Sequence, residues 1–294
     1  MTVRLYRSSE TGAPQLSAST SGDLLNILRA CLVEGFGSRT SAGWTMPFSD
    51  LPNKVACFKS ATGDTLRLDD SLSYRYASGL GFKSMSDLNT GVEQYPDQTM
   101  LDFNTKHWRL GKRYDGRAQY NGWMVVATND WFYFVGLHNA TSPSYPTGFF
   151  FGKYDTVNPA LTENGLLTGY EVNISTTTLS SSAPDGLYKE NTSWVTRRSY
   201  LNSVNPLFIS NSYDAQAFKN PNPSSGKLEM VNPYLIDGQS TPTRLGNLPN
   251  RLHIRGNTHQ GFRGGELFEM DGVKYVIIAH TSAAYAIIFD EFTG

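Results

Sequence analysis

Charge, cysteine and long apolar runs are all scarce in this sequence. Only 17% of the 294 residues are Asp, Glu, Lys or Arg, and they sum to a net charge of -1. Phosphate backbones and anionic bilayers are recognised through a basic excess, so this balance argues against nucleic acid as a partner. Cys31 and Cys57 are the only cysteines. Two are too few for a disulfide scaffold, and buried free thiols are expected. No stretch approaches the ~20 apolar residues of a membrane span, and Met1 to Arg7 lacks the apolar core of a signal peptide, so neither membrane insertion nor export is expected. None of His107, His138, His253, His259 and His280 pairs with another at the i, i+4 spacing of a helical zinc motif. A Gly-x-Ser-x-Gly elbow, a Walker loop and a Cys-x-x-Cys pair are also missing. Asp69 and Asp70 are adjacent carboxylates, but neighbours on a strand point to opposite faces and cannot flank one glycosidic bond. No metal, cofactor or catalytic residue is expected.

What the chain does have is aromatic residues, at 13%, together with 27 glycines and 14 prolines. That profile suits many short strands and turns. Its centre is the segment 121–137, where Trp123 to Thr128 and Trp131 to Leu137 flank Asn129-Asp130. Asn and Asp tolerate the left-handed conformation of a two-residue turn, so a β-hairpin is predicted. Both runs are apolar at nearly every position, which predicts strands covered on both faces by a second sheet or a neighbouring subunit.

Before the hairpin, Val3 to Tyr6 reads as a strand. A helix follows, capped by Ser21 or Asp23, carrying Leu24, Leu25, Ile27, Leu28, Cys31 and Leu32 at helical spacing, and stopped by Gly35 and Gly37. Its broad apolar stripe is expected to pack on a sheet. Lys54 to Ser60 and Thr65 to Asp69 form a second hairpin, and Tyr74 to Met85 continues as a strand in which Gly79 and Gly81 signal a bulge or a close approach. Residues 86–100 read as loop. After the central hairpin, Phe149 to Phe151 reads as a buried strand, Trp194 to Ile209 as one or two strands, Asn220 to Gly226 as a turn, and Leu228 to Ile236 as an edge strand broken by Pro233. Glu266 to Met270, Val273 to His280 and Ala284 to Phe289 form a β-meander around the Asp271-Gly272 turn. The expected architecture is mainly β: a β-sandwich or packed antiparallel sheets with one N-terminal α-helix docked on them. The polar run 175–183 divides it into lobes at 1–174 and 184–294, or lies within one continuous domain.

Two clusters are candidates for contact with other molecules. Trp108, Arg109, Lys112, Arg113, Tyr114 and Arg117 mix aromatic and basic side chains, and Arg255 and Arg263 lie in the Gly- and Arg-rich stretch 251–265. Trp, Tyr and Arg are enriched at protein contacts, so Trp108, Arg109, Arg113, Tyr114, Arg255 and Arg263 are read as interface residues.

Thr2 to Leu16, followed by Gly22 to Gly37, resembles the start of a family of tailed-bacteriophage virion structural proteins with no assigned activity. Gly81 to Gly91 and the order of a Trp-containing strand, a polar turn and an aromatic strand at 123–134 carry the resemblance further. It implies a particle component located in the virion, whose partners are other virion proteins and copies of itself, and it carries over no catalytic residue. A tail-associated position (neck, baseplate or accessory protein) is the first expectation and capsid decoration the second. A host-receptor or glycan-binding module is the alternative from another class, and a glycan-degrading enzyme the last.

Overall fold

The computed structural model describes residues 1–17, 19–95, 109–112, 122–137, 147–157, 165–170, 194–196, 204–207, 228, 230–231, 234–237, 244–254, 264–279 and 284–291. The fold is mainly β, with antiparallel sheets and, among the described residues, one short helical segment near the N-terminus.

The predicted hairpin is the middle of the largest sheet. Gly122–Ala127 pairs with Trp131–Leu137, with Ala127 opposite Phe132 at the turn. Neither Asn129 nor Asp130 has a positive φ, so the expectation of a left-handed turn fails. The Thr128 hydroxyl does the work instead, accepting from the Asp130 and Trp131 amides at 3.1 and 3.3 Å. Arg4–Arg7 pairs beside Gly122–Ala127, and Thr147–Lys153 lies beside Trp131–Leu137. Pairing continues through Gly165–Tyr170, Trp194–Thr196, Val204–Leu207, Tyr234–Asp237 and Arg244–Asn247 to Asp155–Thr156. Asp155–Thr156, the last strand in this order, follows Thr147–Lys153 almost directly in the chain, so this half of the central sheet curls back toward its middle. Strands from both sides of 175–183 share this one sheet.

Both faces of the hairpin are covered within the chain. Trp123, Val125, Ala127, Phe132 and Phe134 face a core shared with the helix and with Ala56, Phe58, Leu66 and Leu68 of an N-terminal sheet. Met124, Val126, Trp131, Tyr133 and Val135 face a second core shared with Val276, Ile287 and Phe289 of a C-terminal sheet. The period of two along each strand sorts these side chains, and each fully buried large one contributes about 1.5 to 3 kcal/mol. Polar ends of the aromatics find partners as they are buried: Trp44 Nε1 donates to the Thr128 carbonyl at 2.6 Å, Trp123 Nε1 to Pro14 at 2.9 Å and the Tyr133 hydroxyl to Pro249 at 2.8 Å.

The helix differs from its sequence reading. It is α-helical over Asp23–Leu28, widens to a π-helical turn over Arg29–Glu34, and ends as expected at Gly35, whose φ is 84°. Neither Ser21 nor Asp23 caps it. Asp23 turns back to accept the Ser17 amide at 2.6 Å, and Ser21 accepts from Lys54 Nζ at 2.7 Å. The orphan Leu25 amide is met by the carboxylate of Asp70, 45 residues away, at 3.1 Å. Leu24, Leu25, Ile27 and Leu28 are all buried, so the helix docks on the sheets as expected.

The N-terminal sheet runs Thr45–Asp50, Val55–Lys59, Thr65–Asp69, Tyr76–Met85 and Gly91–Tyr95, with Arg109–Gly111 also paired to Tyr76–Met85. The strand Gly91–Tyr95 lies inside the segment read as loop. It forms because Tyr95 roofs Gly81: a Cβ on Gly81 would lie 2.2 Å from the Tyr95 ring, and one on Gly79 2.3 Å from Leu110. The two glycines thus mark close approach of side chains. The other edge, Thr45–Asp50, is interrupted by a register shift between Thr45 and Phe48, where Pro47 sits.

The C-terminal sheet runs Met230–Val231, Arg251–Ile254, Ala284–Phe289, Val273–Ala279 and Leu267–Met270. Its last three strands are the predicted meander, and Asp271 and Gly272 have φ of 54° and 78° as the tight turn requires. The single edge strand expected over 228–236 is two strands in two sheets. Met230–Val231 is an edge of the C-terminal sheet, whereas Tyr234–Asp237 is interior to the central one. No helix among the described residues is long and apolar enough to cross a membrane.

Candidate interaction surface and a buried polar node

Trp108, Arg113, Tyr114, Arg255 and Arg263 lie outside the described residues, and Arg109 is placed by its backbone, paired with Ser78. Lys112, from the same basic-aromatic stretch, points inward instead of to a surface. It is fully buried and ion-paired with Asp70, which is fully buried as well.

The pair forms where two strand ends meet the helix. Asp70 follows Thr65–Asp69, and its amide donates to Lys54 O at 2.9 Å; Lys112 follows Arg109–Gly111, and its amide donates to Arg75 O at 2.8 Å. Lys112 Nζ reaches Asp70 Oδ1 and, at 2.6 Å, the Ser73 carbonyl. Burial pushes the Asp70 carboxyl up and the Lys112 ammonium down, each shift opposed by the partner's charge. Sequence reasoning missed this node, because no local pattern connects residues 70 and 112. Asp69, by contrast, binds Ser71 at the surface, so the two adjacent carboxylates do face apart.

A second polar cluster anchors the first strand. Arg39 pairs with Glu10 at 3.2 Å, donates to the Leu5 carbonyl and sits 5.3 Å from the centre of the Tyr6 ring, while the Tyr6 hydroxyl donates to Thr40 O at 2.8 Å. Beside it, Met1, Thr2, Arg4, Ser41, Ala42, Gly43 and Asn129 line a shallow open pocket of about 320 Å³. Arg4 is engaged with Glu291 at 3.2 Å, so the pocket offers hydroxyls and an amide. Cys31 and Cys57 are buried free thiols as expected, and burial raises both. Among the described residues no group of three or more His, Cys, Asp or Glu is placed to hold a metal.

Among the described residues, a separate apolar cluster lies on the face of the C-terminal meander turned away from the central sheet. Val276 and Ile287 point into the core against the central sheet. The alternate positions carry a separate cluster on the other face, with Ile254, Tyr275, Ile277 and Ala286 buried at its centre and Leu252, Phe268, Met270, Val273 and Ile288 half-buried around them. Phe268 stacks on Tyr275 across the strand pair, ring centres 4.8 Å apart and 11° from parallel. A solvated sheet face would alternate to polar residues, and this one stays apolar. No protein-family model and no curated protein matches the chain.

Proposed function

We propose that the chain is a structural component of a tailed-phage virion, tail-associated in the neck, baseplate or accessory apparatus, and that it works through contacts between subunits. The observation that carries this reading is the second apolar cluster of the C-terminal sheet, on the face turned away from the central sheet, whose edge residues stay half-buried within the chain. A half-buried rim of Leu252, Phe268, Met270, Val273 and Ile288 around a buried centre is the composition of an interface, where aromatic residues and Met are enriched and charge is depleted. The N-terminal resemblance supplies the particle. The three-layer build supports a scaffold role, since a sheet with both faces buried is a stiff element on which an outer sheet can be presented.

Separation of purified heads from tails, with detection of the chain in each fraction, tests the assignment. Recovery with tails is expected. Recovery with heads would favour capsid decoration, and absence from both would overturn the virion reading.

A further inference from the structure

Among the described residues, the Asp70–Lys112 node offers the buried ammonium fewer acceptors than it has donors. Both side chains have no exposure to solvent. An ammonium brings three donors, yet Lys112 Nζ has two acceptors among the described residues, Asp70 Oδ1 and the Ser73 carbonyl. A buried donor left unmatched is costly. Asp70 uses its two oxygens separately: Oδ1 faces Nζ, and Oδ2 accepts the Leu25 amide at 3.1 Å.

We propose that Lys112 and Asp70 are joined by an intramolecular isopeptide bond between Nζ and Cγ. The amine lone pair attacks Cγ of the carboxylic acid, the N–C bond forms, the bond from Cγ to Oδ1 breaks, and Oδ1 leaves as water with its own proton and one from Nζ. The condensation needs no oxidant, reductant or cofactor. The product matches its surroundings group for group: the single amide N–H faces the Ser73 carbonyl, and the remaining oxygen, Oδ2, keeps the Leu25 amide. It also removes two buried charges whose desolvation an ion pair must offset.

Burial supplies the reactive forms, since it favours the neutral acid of Asp70 and the neutral amine of Lys112. The backbone supplies proximity. Asp70 and Lys112 are each fixed by a main-chain hydrogen bond, to Lys54 O and Arg75 O, so the two reacting groups are held together before reaction. The bond closes a loop containing the strands Tyr76–Met85, Gly91–Tyr95 and Arg109–Gly111, and ties it covalently to the point that receives the helix N-terminus.

Mass spectrometry of the purified full chain under denaturing conditions tests this. The expected mass is that of the sequence less one water. Tryptic digestion should give a branched peptide in which Leu68–Arg75 is joined to Leu110–Arg113, with no cleavage after Lys112. Lys112→Met and Asp70→Ala should each restore the full sequence mass, a readout that does not require either variant to fold. A wild-type chain at full mass overturns the proposal, as does a water loss mapped to a peptide lacking either residue.

Discussion

Gly81→Ala should destabilise the protein, against the usual sign for that substitution in a strand. Glycine in a strand interior loses more backbone entropy on folding than alanine, so replacement at an unhindered site gains about 0.5 to 1 kcal/mol. At Gly81 φ is not positive, and no backbone strain opposes a side chain. Space does. An added Cβ would lie 2.2 Å from Tyr95 Cε2 and 2.6 Å from both Cδ2 and Cζ, far inside van der Waals contact. Tyr95 cannot swing clear, because it has no exposed surface and its ring stacks on Phe151 of the central sheet at 6.0 Å and 8°. Overpacking of this kind costs about 1 to 3 kcal/mol. In a chain of this size that lowers the melting temperature by about 2 to 5 °C, measurable by calorimetry or by thermal denaturation followed by tryptophan fluorescence. In a double-mutant cycle, Tyr95→Leu should remove most of the penalty, since the two residues share one contact. An unchanged or raised melting temperature for Gly81→Ala would refute the packing argument.

Two further outcomes follow from surface and titration. Met270→Asp places a charge on this half-buried face opposite Val273, and incorporation into particles, normalised to the folded fraction read from its melting curve, should fall about tenfold or more, roughly 1.4 kcal/mol of contact energy. Equal incorporation by quantitative mass spectrometry of particles would remove this face from the assembly. Burial raises Cys57 from 9.0 to about 11, with Arg67 opposing the shift. A thiol raised on folding contributes stability that is fully present below its unfolded pKa and is lost as pH rises through its folded one. Stability should therefore decline between pH 9 and about 11, and Cys57→Ala should decline less steeply in a urea series across that window; parallel curves would show that the thiol is not the cause.

The C-terminal sheet and the buried node illustrate two ways a β-layered protein handles groups that do not suit a simple core. The meander keeps apolar residues on both sides of one sheet, and only one side is matched by the central sheet. The node brings the Asp70 and Lys112 side chains together where a helix end and two strand ends converge, and uses them to satisfy the Leu25 amide and the Ser73 carbonyl, which local capping leaves open.

The sequence by itself determined the elements whose signal is local. Asp271-Gly272 between two β-rich runs produced the meander turn, and the apolar runs around Asn129-Asp130 produced a hairpin buried on both faces. Gly35 stopped the helix because only glycine suits the φ of 84° there. These features depend on backbone preference and on a period of two or 3.6, which neighbouring residues encode. Tertiary structure decided whatever depends on a distant partner. Asp70 caps a helix 45 residues away, Lys112 turns from a basic cluster into the core, Gly91–Tyr95 becomes a strand because Tyr95 covers Gly81, and the stretch 228–236 divides between two sheets. The C-terminal sheet shows the same limit: Val273 to Ile278 is apolar at every position but Lys274, so its pattern announces a strand without saying which side meets the central sheet. That side was settled only when the central sheet took Val276 and Ile278 and left Val273, Tyr275 and Ile277 on the other face.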